Sequence, residues 1–150
     1  MKILVTGNLG YIGSVLTEKL ELDGFEVTGL DIGYFENSLV SNYLAPKNQI
    51  KLDLRNISEK EVDGHDAIIH LASLSNDPLG EFNPNLTNEI NNVATVKLAN
   101  IAKKVGVKRF IYASTQSIYG ISNTSQELDE EKSIKNPISS YAKTKWISEQ

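Results

Sequence analysis

No cysteine occurs in these 150 residues, so they can build neither a disulfide framework nor a thiolate zinc site. Histidine is nearly as scarce, with His65 and His70 the two present. No apolar run approaches the ~18–20 residues of a membrane span. Met1-Lys2 leads directly into a strand-like run, so no signal peptide is expected. A basic stripe is also missing and the net charge is −4, so neither nucleic acid nor membrane is an expected partner. Internal repeats, low-complexity tracts and linkers are absent, and the mildly acidic stretch 126–131 (Gln126 to Glu131) reads as a solvated loop. The expectation is one soluble, cytoplasmic domain, because 150 residues can bury a reasonable core.

What is present concentrates at the amino end. A short apolar run stops at Thr6, and Gly7, Gly10 and Gly13 follow at a spacing of three. Ile12, Val15, Leu16 and Leu20 then set an apolar period of a helix. Strand, glycine turn and helix together bring a helix N-terminus to a nucleotide pyrophosphate. The first helical turn has N–H groups without intrahelical partners, and the helix dipole adds partial positive charge. On this reading Gly7 takes a positive φ to close the turn, and Gly10 lets phosphate approach the backbone. Gly13 lets the helix pack closely on its strand. The spacing G-x-x-G-x-x-G departs from the usual G-x-G-x-x-G, and by itself also suits a plain turn.

Asp31 supplies the second half of the pattern. It closes a second strand-like run, 26–30, which follows Gly24 just past the helix end. A carboxylate there accepts from the 2′-hydroxyl of NAD and repels the 2′-phosphate of NADP. No Arg or Lys stands between Asp31 and Lys47 to receive that phosphate. The alternative is an ordinary loop acid.

Apolar runs recur between helical patterns. Candidate strands are 2–6, 26–30, 49–52, 67–71 and 109–114, short and nearly continuous in apolar character, as strands covered on both faces are. Helices are expected at 11–22, at 58–62 and at 86–105, where Ile90, Ala94, Leu98, Ile101 and Val105 share a face. Lys103, Lys104 and Gly106 suit the end of the last one. This alternation predicts an α/β fold: a doubly wound parallel sheet of Rossmann type, ordered 3-2-1-4-5. Ligand then belongs at the strand carboxyl ends, where Gly7, Asp31, Asp53, Ala72 and Thr115 fall.

Later, Tyr141 and Lys145 stand four apart, on one face if that segment is helical. A phenol titrates near ~10, so bringing one to ~7 takes roughly 4 kcal/mol of preference for phenolate. One nearby cation supplies about 1–3 units of that. A bound oxidised nicotinamide could supply the rest, and a hydroxyl from Thr115 could hold the substrate oxygen. Tyr-x-x-x-Lys also fits an ordinary amphipathic helix. Asn76-Asp77-Pro78 reads as a turn that opens a loop.

Thr6 to Gly13, Asp31, Asp53-Leu54-Arg55, His70-Leu71-Ala72, Asn91, Ser114-Thr115 before Ile118-Tyr119-Gly120, and Tyr141 with Lys145 span essentially the whole chain. In this combination the chain resembles the N-terminal portion of an extended short-chain dehydrogenase/reductase. The resemblance is to the NAD-dependent sugar-nucleotide epimerase/dehydratase family, of the UDP-glucose 4-epimerase kind. It implies that Gly7, Gly10 and Gly13 hold the pyrophosphate of NAD, with N–H groups from Tyr11 and Ile12. It implies Asp31 on the adenosine ribose, Asp53 and Leu54 beside the adenine, and Leu71, Ala72 and Ser73 along the cofactor path. Asn91 is either a cofactor-side polar group or a helix-facing amide. Thr115, Tyr141 and Lys145 are the implied catalytic set, Lys145 also reaching the nicotinamide ribose; Ser114 is the alternative to Thr115. His70 falls where the family uses a structural residue, and no metal is implied.

The implied reaction is transient hydride transfer to NAD from a small-molecule substrate, a nucleotide sugar, with Tyr141 as base, leading to epimerisation or dehydration. A non-catalytic NAD(P)-binding module and an NAD(P)H reductase of the same superfamily are the alternatives. The family allows a homodimer through the helices at 86–105 and Tyr141. Its members run to about twice this length. The chain therefore reads as an incomplete NAD-binding domain, truncated before the C-terminal substrate domain, and little or no turnover is expected of the 150 residues alone.

Overall fold

The computed structural model describes residues 1–38, 45–121 and 127–150, so Gln126 of the acidic stretch lies outside the described residues. Strands β1 (Lys2–Thr6), β2 (Glu26–Asp31), β3 (Asn48–Lys51), β4 (Ala67–His70) and β5 (Arg109–Tyr112) form one sheet. Its order is β3-β2-β1-β4-β5 and every pairing is parallel, as the alternating pattern predicts. Thr6 stands opposite Leu30 on one side and His70 on the other, so the carboxyl ends of β1, β2 and β4 are level. The chain winds outward from β1 to β3 and then returns to β4. The crevice between β1 and β4 is therefore the switch point where such sheets bind ligands.

One core lies between the sheet and helix α5 (Ala94–Val105): Leu4, Leu30 and Ile68 meet Ala94, Leu98 and Ala102, with Leu54, Ile57 and Val62 beside them. The opposite face holds Ile3, Val5, Val27 and Ala67 under Leu20 of helix α1 (Tyr11–Leu22). Helix α2 (Glu59–Val62) starts at a capping box in which Ser58 and Glu61 satisfy each other's end groups.

Three expectations need correction. The buried stripe of α1 is Gly13, Ser14 and Thr17, while Ile12 is 64 % and Val15 52 % exposed. Small side chains bring this helix down beside the glycine turn, and that close approach overrides the apolar period. Coverage of the sheet is also unequal, since Ile111 of β5 is 54 % exposed on the face it shares with Ile69. Finally, Asn76-Asp77-Pro78 opens a helix rather than a simple turn. The Asn76 side chain accepts from the Leu79 N–H, and proline in the first turn has no N–H to lose, giving α3 (Asp77–Phe82).

The helix expected at 86–105 begins earlier, at α4 (Pro84–Asn88), because Asn83 caps it and Pro84 follows. It passes through a π turn (Glu89–Val93) into α5 and ends at Gly106, whose φ is 82°. Helix α6 (Ser140–Glu149) packs alongside, with its first turn capped by the Ser139 hydroxyl. Among the described residues no helix is long and apolar enough to cross a membrane, and no cluster of three His, Asp or Glu side chains could hold a metal ion.

Candidate functional site

The glycine turn sits directly on the loop that follows β4. Gly7 has a φ of 76°, and a Cβ there would stand 2.6 Å from the Ala72 nitrogen, so both conformation and space require glycine. Gly7 N–H donates to Leu30 O at 2.8 Å, tying the turn to β2. Gly10 is the extended residue before α1, and no side chain caps that end. A Cβ on Gly10 would meet Gly7 O alone, at 3.3 Å, so the approach to the N–H groups of Tyr11, Ile12 and Gly13 is open. That is a cradle a diphosphate fits. Gly13 serves differently from expectation: its missing Cβ would lie 2.1 Å from Gly7 O and 2.7 Å from Asn8 Cα. The close contact is with the glycine turn itself, not with the strand.

Asn8 is buried and exchanges amide hydrogen bonds with Gln49 of β3, at 2.7 and 3.3 Å. The pair passes over Gly29 of β2, where a Cβ would come within 2.3 Å of Asn8 Nδ2. Nothing in the local pattern marks Gly29 or Gln49, because the pairing joins three strands' worth of sequence.

Asp31 stands at the carboxyl end of β2. Its carboxylate accepts from the Leu9 N–H at 3.1 Å and the Gly33 N–H at 2.8 Å. It lines a cavity of about 210 Å³ together with Gly7, Asp53, Leu54, Leu71, Ala72 and Ser73. Arg55 grips Asp53 through Nε and Nη2 and also meets Glu89; the hydrogen bonds to Arg55 hold the Asp53 carboxyl below the usual carboxylate range. Asn91 lies apart from this cavity lining. It is buried in the π turn, where its amide accepts from Leu74 N–H at 2.8 Å and donates to Leu74 O at 3.1 Å. The post-β4 loop is thereby clamped, and the Ser148 hydroxyl of α6 lies 3.0 Å from Asn91 O.

A second, larger cleft of about 1100 Å³ opens beside β5 and is lined by Ser114, Thr115, Tyr119, Tyr112 and Trp146. Thr115 caps the 3₁₀ turn Gln116–Tyr119, its hydroxyl accepting from Ser117 N–H at 3.2 Å. Tyr141 and Lys145 share one side of α6. Lys145 is 2 % exposed and its Nζ donates to Ala113 O at 2.9 Å. The ammonium lies 4.7 Å from the Tyr112 ring centre and 5.9 Å from that of Tyr141. Burial pushes Lys145 down to about 8 and the Tyr112 phenol up to about 12. Gly80 of α3 faces Tyr141 so closely that a Cβ would be 3.1 Å from its nitrogen. Asp77 accepts from the Ser139 hydroxyl and Glu81 from the Ser140 N–H, both at 2.5 Å, so α3 holds the first turn of α6.

His70 is enclosed. Its Nδ1 is 2.6 Å from the Thr6 hydroxyl and its Nε2 2.8 Å from that of Thr95, and its ring stacks on Tyr112. Burial, with the Lys145 charge adding, pushes it down to about 3, so it stays neutral and joins β1 to α5.

Comparison with known proteins adds four findings. A model of the NAD dependent epimerase/dehydratase family matches residues 3–150. UDP-glucuronic acid decarboxylase 1 of Xenopus tropicalis is 34% identical over 139 residues, covering 91% of this chain and 32% of that protein. Among solved structures, an NAD-dependent NDP-hexosamine 5,6-dehydratase of tunicamycin biosynthesis superposes with a TM-score of 0.87 at 27% identity, covering 99% of this chain and 48% of that one. The UDP-glucose 4-epimerase of Thermus thermophilus, solved with NAD, gives 0.83 at 27% identity over 99% of this chain and 49% of that one. The chain therefore spans from 32% to 49% of the length of these relatives.

Proposed function

The chain belongs to the NAD-dependent epimerase/dehydratase family, and from that premise we propose that residues 1–150 carry the NAD site and the catalytic groups of an enzyme acting on a nucleotide sugar. The supporting observation is that the open α1 N-terminus and the Asp31 carboxylate lie at the carboxyl ends of β1 and β2, while Lys145, one helical turn from Tyr141, reaches Ala113 O just past the end of β5. Gly7, Gly10 and Gly13 keep the turn low enough for a diphosphate to reach the N–H groups of Tyr11 and Ile12. Asp31 accepts from the adenosine ribose. Asp53, Leu54, Leu71, Ala72 and Ser73 wall the adenosine and the path beyond it, and Asn91 fixes that wall from behind through Leu74.

When bound, NAD supplies a hydride acceptor that can later return the hydride. The chain's own groups handle the proton. Tyr141 Oη, entering the step as phenolate, takes it from a sugar hydroxyl and becomes the phenol; Lys145 sets a positive charge beside that phenolate, and Thr115 Oγ1 orients the same hydroxyl. Ala113 O and the Tyr112 ring keep Lys145 Nζ in place. The relatives include an epimerase, a dehydratase and a decarboxylase, all acting on nucleotide sugars by their names.

Calorimetric titration with NAD tests the site, and the effect of Asp31→Ala on NAD relative to NADP tests the ribose contact. An unchanged preference would remove Asp31 from the site. For the chemistry, Tyr141→Phe is expected to cost orders of magnitude in turnover of a UDP-sugar by the intact enzyme while NAD affinity stays nearly constant. Normal turnover would reject Tyr141 as the base.

A further inference from the structure

Asp31 and Lys51 are register partners at the carboxyl ends of β2 and β3, yet the two charges are engaged elsewhere. Each Asp31 oxygen accepts one main-chain N–H, from Leu9 and Gly33, and keeps a further lone pair for a ribose hydroxyl. Lys51 reaches across Gly33 instead and meets both oxygens of Glu36, at 3.1 and 3.2 Å. Gly33 makes this crossing possible. Its φ is 84°, and a Cβ on it would stand 2.8 Å from Glu36 Oε2 and 3.2 Å from Lys51 Nζ. The pair sits over the segment whose Ile32, Tyr34 and Phe35 line the same cavity as Asp31.

Among the described residues the other cations nearby are engaged: Lys97 Nζ donates to Arg55 O at 2.9 Å. Arg55 is bound by Asp53 and Glu89. Lys47 precedes β3 and so lies toward the opposite, amino end of the strand. Lys51 is thus the cation placed to greet a phosphate on the ribose that Asp31 is proposed to hold, and Glu36 occupies it. The linear pattern hides this, because Lys51 is 20 residues from Asp31 in sequence and adjacent to it only in the sheet.

We propose that Glu36 is a specificity-determining residue: by sequestering Lys51 it denies a 2′-phosphate its counter-charge, so that Asp31 and the Glu36–Lys51 pair together select NAD over NADP. This rests on the NAD site proposed above. A 2′-phosphate would meet two carboxylates and one ammonium that is already paired. Without Glu36 it would meet one carboxylate and a free ammonium.

The test is direct binding, which needs no turnover. The 150-residue chain and its Glu36→Gln, Lys51→Met and doubly substituted forms are titrated calorimetrically with NAD and with NADP, at about 10 mM and about 500 mM salt. All the changed side chains are exposed, and thermal melts confirm that each form folds. Glu36→Gln is expected to tighten NADP relative to NAD by about fivefold at low salt, the scale of one exposed charge contact, and by much less at high salt. In the Lys51→Met background the same change should yield less than half of that gain. A shift below about twofold, or an equal gain with and without Lys51, overturns the proposal while leaving the NAD site intact. If the unaltered chain binds neither nucleotide, the site itself is refuted and this inference falls with it.

Discussion

Replacing Gly10 and Gly13 separately by alanine should divide ligand access from packing within a single turn. At Gly13 the new methyl would stand 2.1 Å from Gly7 O and 2.7 Å from Asn8 Cα, both main-chain atoms that cannot swing aside. Overpacking costs about 1–3 kcal/mol, and with backbone on every side the upper end applies. For a chain of this size about 3 kcal/mol corresponds to a fall of roughly 6–12 °C in Tm. At Gly10 the methyl would meet Gly7 O at 3.3 Å and otherwise face open space, with an ordinary φ of −86°. The change there is the replacement of glycine by alanine before the first helical turn, worth about 0.5–1 kcal/mol, or roughly 1–4 °C. Yet that methyl points where a diphosphate would come, so NAD affinity should fall about tenfold or more. Thermal melts and calorimetric titration on the same samples read both quantities. Gly10→Ala binding NAD as well as the unaltered chain would refute the claim that diphosphate approaches this backbone. Gly13→Ala melting within about 2 °C of the unaltered chain would refute the packing argument.

Two further outcomes concern buried titrating groups. His70 has its folded value pushed to about 3, below the 6.5 of the free side chain, so between those values the unfolded chain takes up a proton that the folded chain refuses. Its contribution to stability is complete above about pH 6.5 and drains away as pH falls, at up to about 1.4 kcal/mol per unit. Urea unfolding of His70→Gln between about pH 6 and 4.5 should show a shallower decline than the parent, and parallel curves would sink the assignment. Lys145 is likewise lowered, to about 8 from 10.5, so the unfolded chain again holds more protons in that window and stability should climb with pH from about 8 to about 10. Lys145→Met keeps much of the side-chain volume and removes a buried charge. It is expected to melt roughly 2–4 °C higher near neutral pH and to lose the alkaline climb, whereas a lower Tm would show that the Tyr112 and Ala113 contacts outweigh desolvation.

The sheet order was legible because most strands are announced by a short apolar run and each crossover by a helical period or a glycine; β3, with Ile50 its one apolar residue, carries the weakest such signal. Boundaries shifted by a residue or two, as at β4, which ends at His70 rather than Leu71. The side of α1 that packs inward was not legible. Its apolar residues follow a helical period, but a glycine turn demands small neighbours, and Ser14 and Thr17 took the inner side. Helix α3 went unread because Asn76-Asp77-Pro78 carries turn chemistry and helix-start chemistry alike, and what decides is its packing on α6. The residues nominated for the candidate site divide in the same way. Those set by a strand end, such as Asp31, Asp53 and Ala72, come together on one cavity. Groups that reach the site across the sheet or between helices, such as Gln49, Lys51, Gly80 and Tyr112, have no signature along the chain.

The wide turn at Glu89–Val93 has a consequence for length. Successive residues of an α-helix advance by about 100° in azimuth. Lodging one extra residue in a single turn therefore offsets the phase of everything after it. Here the offset lets Thr87 reach Gly80 O on the early side while Leu98 is fully buried against the sheet on the late side. Deleting a residue between Asn88 and Ala94 would restore a uniform pitch and swing one half away from its contacts. The sequence there can drift in composition on its outer surface, but it can neither gain nor lose a position without uncoupling the two ends of the rod.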